Sequence, residues 1–173
     1  VKVLIRYGAD IEYRFRDGFT PLYVACQKGN MDIIQYLVDE KGADIHAACT
    51  QGSTPLYIAS QEGRVDVIDF LCNRGADTKA IFRRGFTAIY VAARNGHVEA
   101  VVKLISHGAK VNAQDEDGST PSYVTSQNGH HKVLKVLLAN GADVNLTFLG
   151  GYTCLYVACQ NGHYKVVKQL LKC

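Results

Sequence analysis

The sequence predicts an all-α repeat solenoid, a linear stack of helix–turn–helix units. Three observations predict it. One phrase recurs: aligned on its leading glycine, Gly18, Gly52, Gly85, Gly118 and Gly151 stand 34, 33, 33 and 33 residues apart, and a fixed period of this length marks a repeat architecture. Each copy carries the start and stop signals of a short helix. Each is followed by an apolar stripe at helical spacing, in a segment too short to be stable alone.

The elements follow in order within one unit. In "GFTPLYVACQKGN", residues 18–30, Thr20 is an N-cap whose hydroxyl can accept from an orphan helix N–H. Pro21 occupies the first helical position at no cost in hydrogen bonds. The helix runs about eight residues and stops at Gly29, a left-handed terminator. Thr54, Thr87, Thr120 and Thr153 repeat the cap. Tyr23, Tyr57, Tyr90, Tyr123 and Tyr156 repeat three residues further on. The second helix shows apolar residues at i, i+1, i+4 and i+5, as in Ile33, Ile34, Leu37 and Val38. The last three units present Ala100, Val101, Leu104 and Ile105; Val133, Leu134, Leu137 and Leu138; and Val166, Val167, Leu170 and Leu171. A Gly-Ala pair then ends each unit but the last. One residue inserted around "VDEKGAD" accounts for the single interval of 34. Each unit must bury its stripe against a neighbour, so stability is a sum of unit and nearest-neighbour terms.

Composition narrows the function classes. The chain has 173 residues, is 47% hydrophobic and carries a net charge of +3. That is globular rather than disordered, and too weakly basic to argue for nucleic acid. No apolar run approaches the roughly 20 residues that span a bilayer, so no membrane insertion is expected. The six cysteines form no C-x-x-C pair, which leaves a zinc site unsupported. Reduced, small-hydrophobe thiols are expected. The glycines are helix stops, not a G-x-x-x-x-G-K phosphate loop. His97, His130 and His163 open second helices, and Gly162 separates Cys159 from His163, so no nucleophile constellation forms. No catalytic residue, cofactor, metal or small-molecule substrate is expected. The sequon "NLT" at 145–147 is expected to be unused.

The stretch "DGFTPLYVACQKGNMDIIQYLVDEKGADI" resembles an ankyrin repeat, as do "QGSTPLYIASQEGRVDVIDFLCNRGAD" and its three successors. The resemblance covers essentially the whole chain. It implies stacked helix–turn–helix ankyrin repeats joined by β-hairpin loops. The units are expected at 17–50, 51–83, 84–116 and 117–149, with a partial unit at 1–16 and a unit at 150–173 truncated in its second helix. The chain begins with Val rather than Met, and neither end shows a polar capping face; the middle of a longer array is expected. Tyr stands in all five units where the family usually has His. Ala88 and Cys154 replace Pro, and Ser122 replaces Leu, which makes the fourth unit the expected weak point. Asn112 and Asn145 lie in a context similar to that of ankyrin asparagines hydroxylated by an oxygenase.

The family resemblance implies a non-catalytic scaffold that binds another protein through its concave loop-tip and first-helix surface, at an intracellular, cytoplasmic location. The alternative is the targeting array of a larger enzyme, ubiquitin-ligase adaptor or channel. Along that surface the units alternate. The first, third and fifth read aromatic-x-x-Gly-aromatic-Thr; the second and fourth read polar-x-x-Gly-Ser-Thr. Duplication of a repeat pair explains this, and so do three spaced aromatic contact points. The candidate partner-binding residues are Phe15, Arg16 and Phe19; Phe82, Arg83, Arg84, Phe86 and Arg94; Asp115, Glu116 and Asp117; and Tyr152. Exposed aromatics and arginines are enriched in binding hot spots, and Phe86 with Arg83, Arg84 and Arg94 is the best single cluster. The acidic tip at 115–117 serves the same interface or pairs with the arginines of the third unit.

Overall fold

The structure, a computed structural model, describes residues 2–172; Val1 and Cys173 lie outside it. After α1 (Lys2–Arg6), the helices come in pairs: α2 (Pro21–Lys28) with α3 (Met31–Gln35), α4 (Pro55–Gln61) with α5 (Val65–Asn73), and α6 (Ala88–Arg94) with α7 (Val98–Ser106). They continue as α8 (Pro121–Asn128) with α9 (His131–Ala139), and α10 (Cys154–Gln160) with α11 (Tyr164–Leu170). First helices pack on first helices, α2 on α4 on α6 on α8 on α10, and second helices stack likewise from α5 through α11.

The caps form as the sequence dictates. Thr20, Thr54, Thr87, Thr120 and Thr153 each accept a hydrogen bond from the backbone N–H of the tyrosine three residues on, at 3.1–3.4 Å. The second-helix stripes supply the core: Ile34, Leu37, Val67, Ile68, Leu71, Val101, Leu104, Val133, Leu134 and Leu137 are essentially inaccessible to solvent. The last stripe position departs from the pattern, since Leu171 is 70% exposed. Where the pair ends, Ala76, Ala109 and Ala142 donate back to Leu71, Leu104 and Leu137, five residues earlier.

The inserted residue has a structural address. Tyr36–Glu40 continues α3 as a turn of π-helix, the conformation that absorbs one extra residue inside a helix. Ala43 accordingly donates to Leu37, six residues back instead of five, at 2.9 Å. The surplus is consumed before the next unit begins, so register is regained.

The hairpin loops are tighter than paired strands. Among the described residues their tips are pinned by isolated antiparallel bridges, Phe15 with Phe19, Phe82 with Phe86 and Phe148 with Tyr152. Each of these aromatic tips exchanges two backbone hydrogen bonds. The polar tips make one, Cys49 N–H to Ser53 and Asp115 N–H to Ser119. In the fourth unit the Asp115 carboxylate takes over the missing role, accepting from Ser119 N–H at 2.8 Å and Asp117 N–H at 3.0 Å.

Of the cysteines, Cys26, Cys49 and Cys154 are buried, Cys72 is half-buried and Cys159 is exposed, all as free thiols. Burial pushes the Cys26 thiol up to about 12 and Cys154 up to about 11, so both are poor nucleophiles. Cys49, although in a tip, is only 7% exposed.

Candidate functional site

The caps bring each unit's tyrosine to the seam between its own loop and the next. There the alternation acquires a physical meaning. Tyr23 and Tyr90, from odd units, place their hydroxyls 3.1 and 3.2 Å from Ser53 and Ser119 of the following even units. Their rings stack on their own tips, Phe19 on Tyr23 and Phe86 on Tyr90, each at 4.8 Å between centroids. Tyr57 and Tyr123, from even units, instead meet the tip ring of the following odd unit, Phe82 at 4.7 Å and Phe148 at 4.8 Å. Polar and aromatic tips thus complement their neighbours across each seam.

This corrects the reading of the aromatic tips as spaced, freely exposed contact points. Phe19, Phe82 and Phe86 are half-buried in the seams. Phe15 and Tyr152 are exposed, at 54% and 43%, and Tyr152 lies 4.9 Å from the Tyr156 ring. The twelve candidate residues are spread over more than one cavity. Phe15 and Phe19 line one cavity with Val24 and Leu37, and the Arg16 guanidinium lies 5.2 Å from the centre of the Phe15 ring. Asp115 and Glu116 line a separate cavity of about 430 Å3 with Ile81 and Lys110. Arg84 turns to the acidic tip, with Nη2 2.7 Å from Asp117 and Nε 3.4 Å from Glu116. All three partners are at least partly solvated, so the pairs contribute about 0–1 kcal/mol each. Their effect is to neutralise Arg84 and offset part of the charge of the acidic tip.

Phe82, Arg83, Phe86 and Arg94 do converge. They line a groove of about 390 Å3 between the second and third units, completed by Tyr57, Gln61 and Asn95. Arg83 adopts a left-handed backbone, φ 48, which sends its side chain back over the seam. Its guanidinium is 5.0 Å from the centre of the Phe82 ring, and its Nε donates to Gln51 Oε1 at 3.0 Å. Arg94 ends α6, where the helix dipole favours a cation. Burial pushes the Tyr57 phenol up to about 12. Sequence reasoning left Tyr57 out of the site; the signal was Phe86 standing where the polar units carry the serine that pairs with the preceding tyrosine.

Three histidines tie neighbouring units together. Nε2 of His97, His130 and His163 lies 2.9–3.0 Å from the carbonyls of Gln61, Arg94 and Gln127, in the preceding unit. Asn95, Asn128 and Asn161 donate to the same three carbonyls, tying off the ends of the first helices. Arg64, where later units have His, reaches the Gln27 carbonyl at 3.2 Å. Asn112 spans two loops, donating to the Gly141 carbonyl and accepting from Asp143 N–H. Among the described residues no group of three or more His, Cys, Asp or Glu is placed to hold a metal ion, and no helix is long and apolar enough to cross a membrane.

A stack of capped helix pairs with interlocking loop tips defines a repeat protein whose variable side chains line one edge. A family model described as ankyrin repeats (3 copies) matches residues 1–82, 46–115 and 89–173, and the chain belongs to the ankyrin-repeat family. Among curated proteins it is similar to protein phosphatase 1 regulatory subunit 27 of Mus musculus and of Homo sapiens, each 53% identical over 38 residues, 22% of this chain and 25% of the relative. It is also similar to the Notch-regulated ankyrin repeat-containing protein of Xenopus tropicalis, 45% identical over 38 residues, 22% of this chain and 33% of the relative. The matches span about a quarter to a third of these relatives.

Proposed function

We propose that the array is a non-catalytic scaffold that binds another protein through its loop tips and first helices, with the groove between the second and third units at the centre. The observation that carries this reading is the convergence of two half-buried aromatic rings and two arginines in one groove, the residue types that dominate binding energetics. The ankyrin family supports it, since repeats of this kind are generally protein-interaction modules. The name of one relative, a phosphatase regulatory subunit, is in keeping with a binding role. Arg84 pairs with Glu116 and Asp117, Asp115 braces its own loop, and Phe15, Arg16, Phe19 and Tyr152 extend the surface to either side.

The test is capture of partners from the source cell by the whole chain and by an Arg83→Ala/Phe86→Ala/Arg94→Ala variant matched by circular dichroism. Arg84→Ala is the control. Loss of a protein from the triple variant alone is expected. A partner list that the triple variant leaves unchanged moves the site to another surface.

A further inference from the structure

The groove between the second and third units holds charge and hydrogen-bonding capacity that the fold does not use. Among the described residues neither Arg83 nor Arg94 has a carboxylate within 4.0 Å, whereas Arg84, Arg74, Lys103 and His107 all do. Tyr57 adds a second, independent sign. It is 6% exposed and lines the groove, yet its hydroxyl has no hydrogen-bond partner among the described residues, unlike those of Tyr23 and Tyr90. The hydroxyl is not sealed in the core either; it is left open to the groove because Phe86 replaces the serine that would have met it. A hydroxyl that is open to the groove and unused by the fold is a donor that a ligand can engage in place of water. Its neighbours say which ligand: two guanidiniums from different elements, one on a loop tip and one at a helix C-terminus, beside aromatic walls.

We infer, resting on the protein-binding reading above, that this groove recognises an acidic segment of a partner protein. Asp or Glu side chains of the segment lie on Arg83 and Arg94, and one of them accepts a hydrogen bond from the Tyr57 hydroxyl. Guanidinium–carboxylate contacts are the strong, charge-assisted kind. Gln51, by accepting from Arg83 Nε, holds that guanidinium ready without neutralising it. Glu62, next in the chain to the groove-lining Gln61, is engaged by Gln61 Nε2 at 3.2 Å. Phe82 and Phe86 give the segment's intervening apolar side chains a surface to lie on.

The experiment is a selection of random phage-displayed peptides on the full chain. The strongest binder is then synthesised and titrated by calorimetry against the parent, Arg83→Glu/Arg94→Glu, Arg83→Gln/Arg94→Gln and Tyr57→Phe. Selected peptides rich in Asp and Glu are expected, with affinity falling about tenfold or more on charge neutralisation, further on reversal, and several-fold for Tyr57→Phe. The neutralised variant keeps the test decisive if the reversed one fails to fold. Neutral or basic peptides, no enrichment, or acidic peptides whose affinity survives both arginine changes would overturn the inference. Peptides that bind elsewhere on the tip surface would sink the acidic groove and leave protein binding standing, whereas an empty partner capture bears on the protein-binding reading itself.

Discussion

At the scale of single residues, one position does two jobs. The tyrosine that replaces the family's usual histidine shares a hydrogen bond with the next unit's serine in the first and third units, and packs on the next unit's aromatic tip in the second and fourth. Tyr23→Phe leaves the Ser53 hydroxyl, 4% exposed, without its partner. A loss of about 1 kcal/mol is expected, read as a lower urea midpoint. Tyr57→Phe removes a hydroxyl that the fold does not use, and its midpoint at neutral pH should match the parent. The two differ again in alkali. The Tyr57 phenol is raised from 10.0 to about 12, chiefly by burial. The folded state therefore holds that proton more tightly than the unfolded chain. This contribution is intact below pH 10 and is lost as pH rises towards 12. Tyr57→Phe should make the alkaline decline in stability shallower, and an unchanged decline would show that Tyr57 is less buried than described.

At the scale of elements, α8 is the exception among the first helices. Where α2, α4 and α6 bury Leu22, Leu56 and Ile89, α8 buries Ser122. Where they bury Ala25, Ala59 and Ala92, it buries Thr125. The hydroxyls of both lack a hydrogen-bond partner among the described residues. Ser126 Oγ meets no partner by strict geometry, though it neighbours the Cys154 thiol, a weak hydrogen-bonding group. The substitution of Ser122 for leucine, visible in the sequence, thus extends to a whole polar helix face. Ser122→Ala/Thr125→Val removes both unsatisfied hydroxyls with little change in shape. It should raise stability by about 1–3 kcal/mol in a thermal or urea melt. A loss instead would mean that ordered water satisfies these groups.

At the scale of the molecule, that helix divides the core. One apolar cluster runs from Leu22 to Leu137; a second comprises Tyr123, Leu134, Cys154, Val157, Ala158, Val166 and Leu170. In a stack held together by neighbour contacts, a polar seam lowers the free energy of opening everything beyond it. Native-state hydrogen exchange should show the amides of α10 and α11 exchanging through a cheaper opening than those of α4 to α7. The α8 double substitution should narrow the gap. Equal protection on both sides of α8 would show that the two clusters unfold as one. The period, the caps, the helix pairs, the core stripe and the inserted residue were all legible in the sequence, because each depends on residues within about one unit of chain. The site was legible in part. Arg83, Phe86 and Arg94 announced themselves as tip and first-helix residues, but nothing local showed that Arg84 is neutralised while Arg83 is not.

The sequence alone therefore determined the architecture and the residue types offered along one edge, since capping, helix termination and apolar periodicity are short-range physics. It did not determine which of those residues remain available. That depends on contacts between side chains some 30 residues apart: Tyr23 with Ser53, Tyr57 with Phe82, Arg84 with Asp117. Such pairings exist only once neighbouring units are stacked, and they take aromatic rings and charges that read as exposed and commit them to the seams. Stacking leaves the Tyr57 hydroxyl and two guanidiniums together in one groove, and it is there that the binding proposal rests.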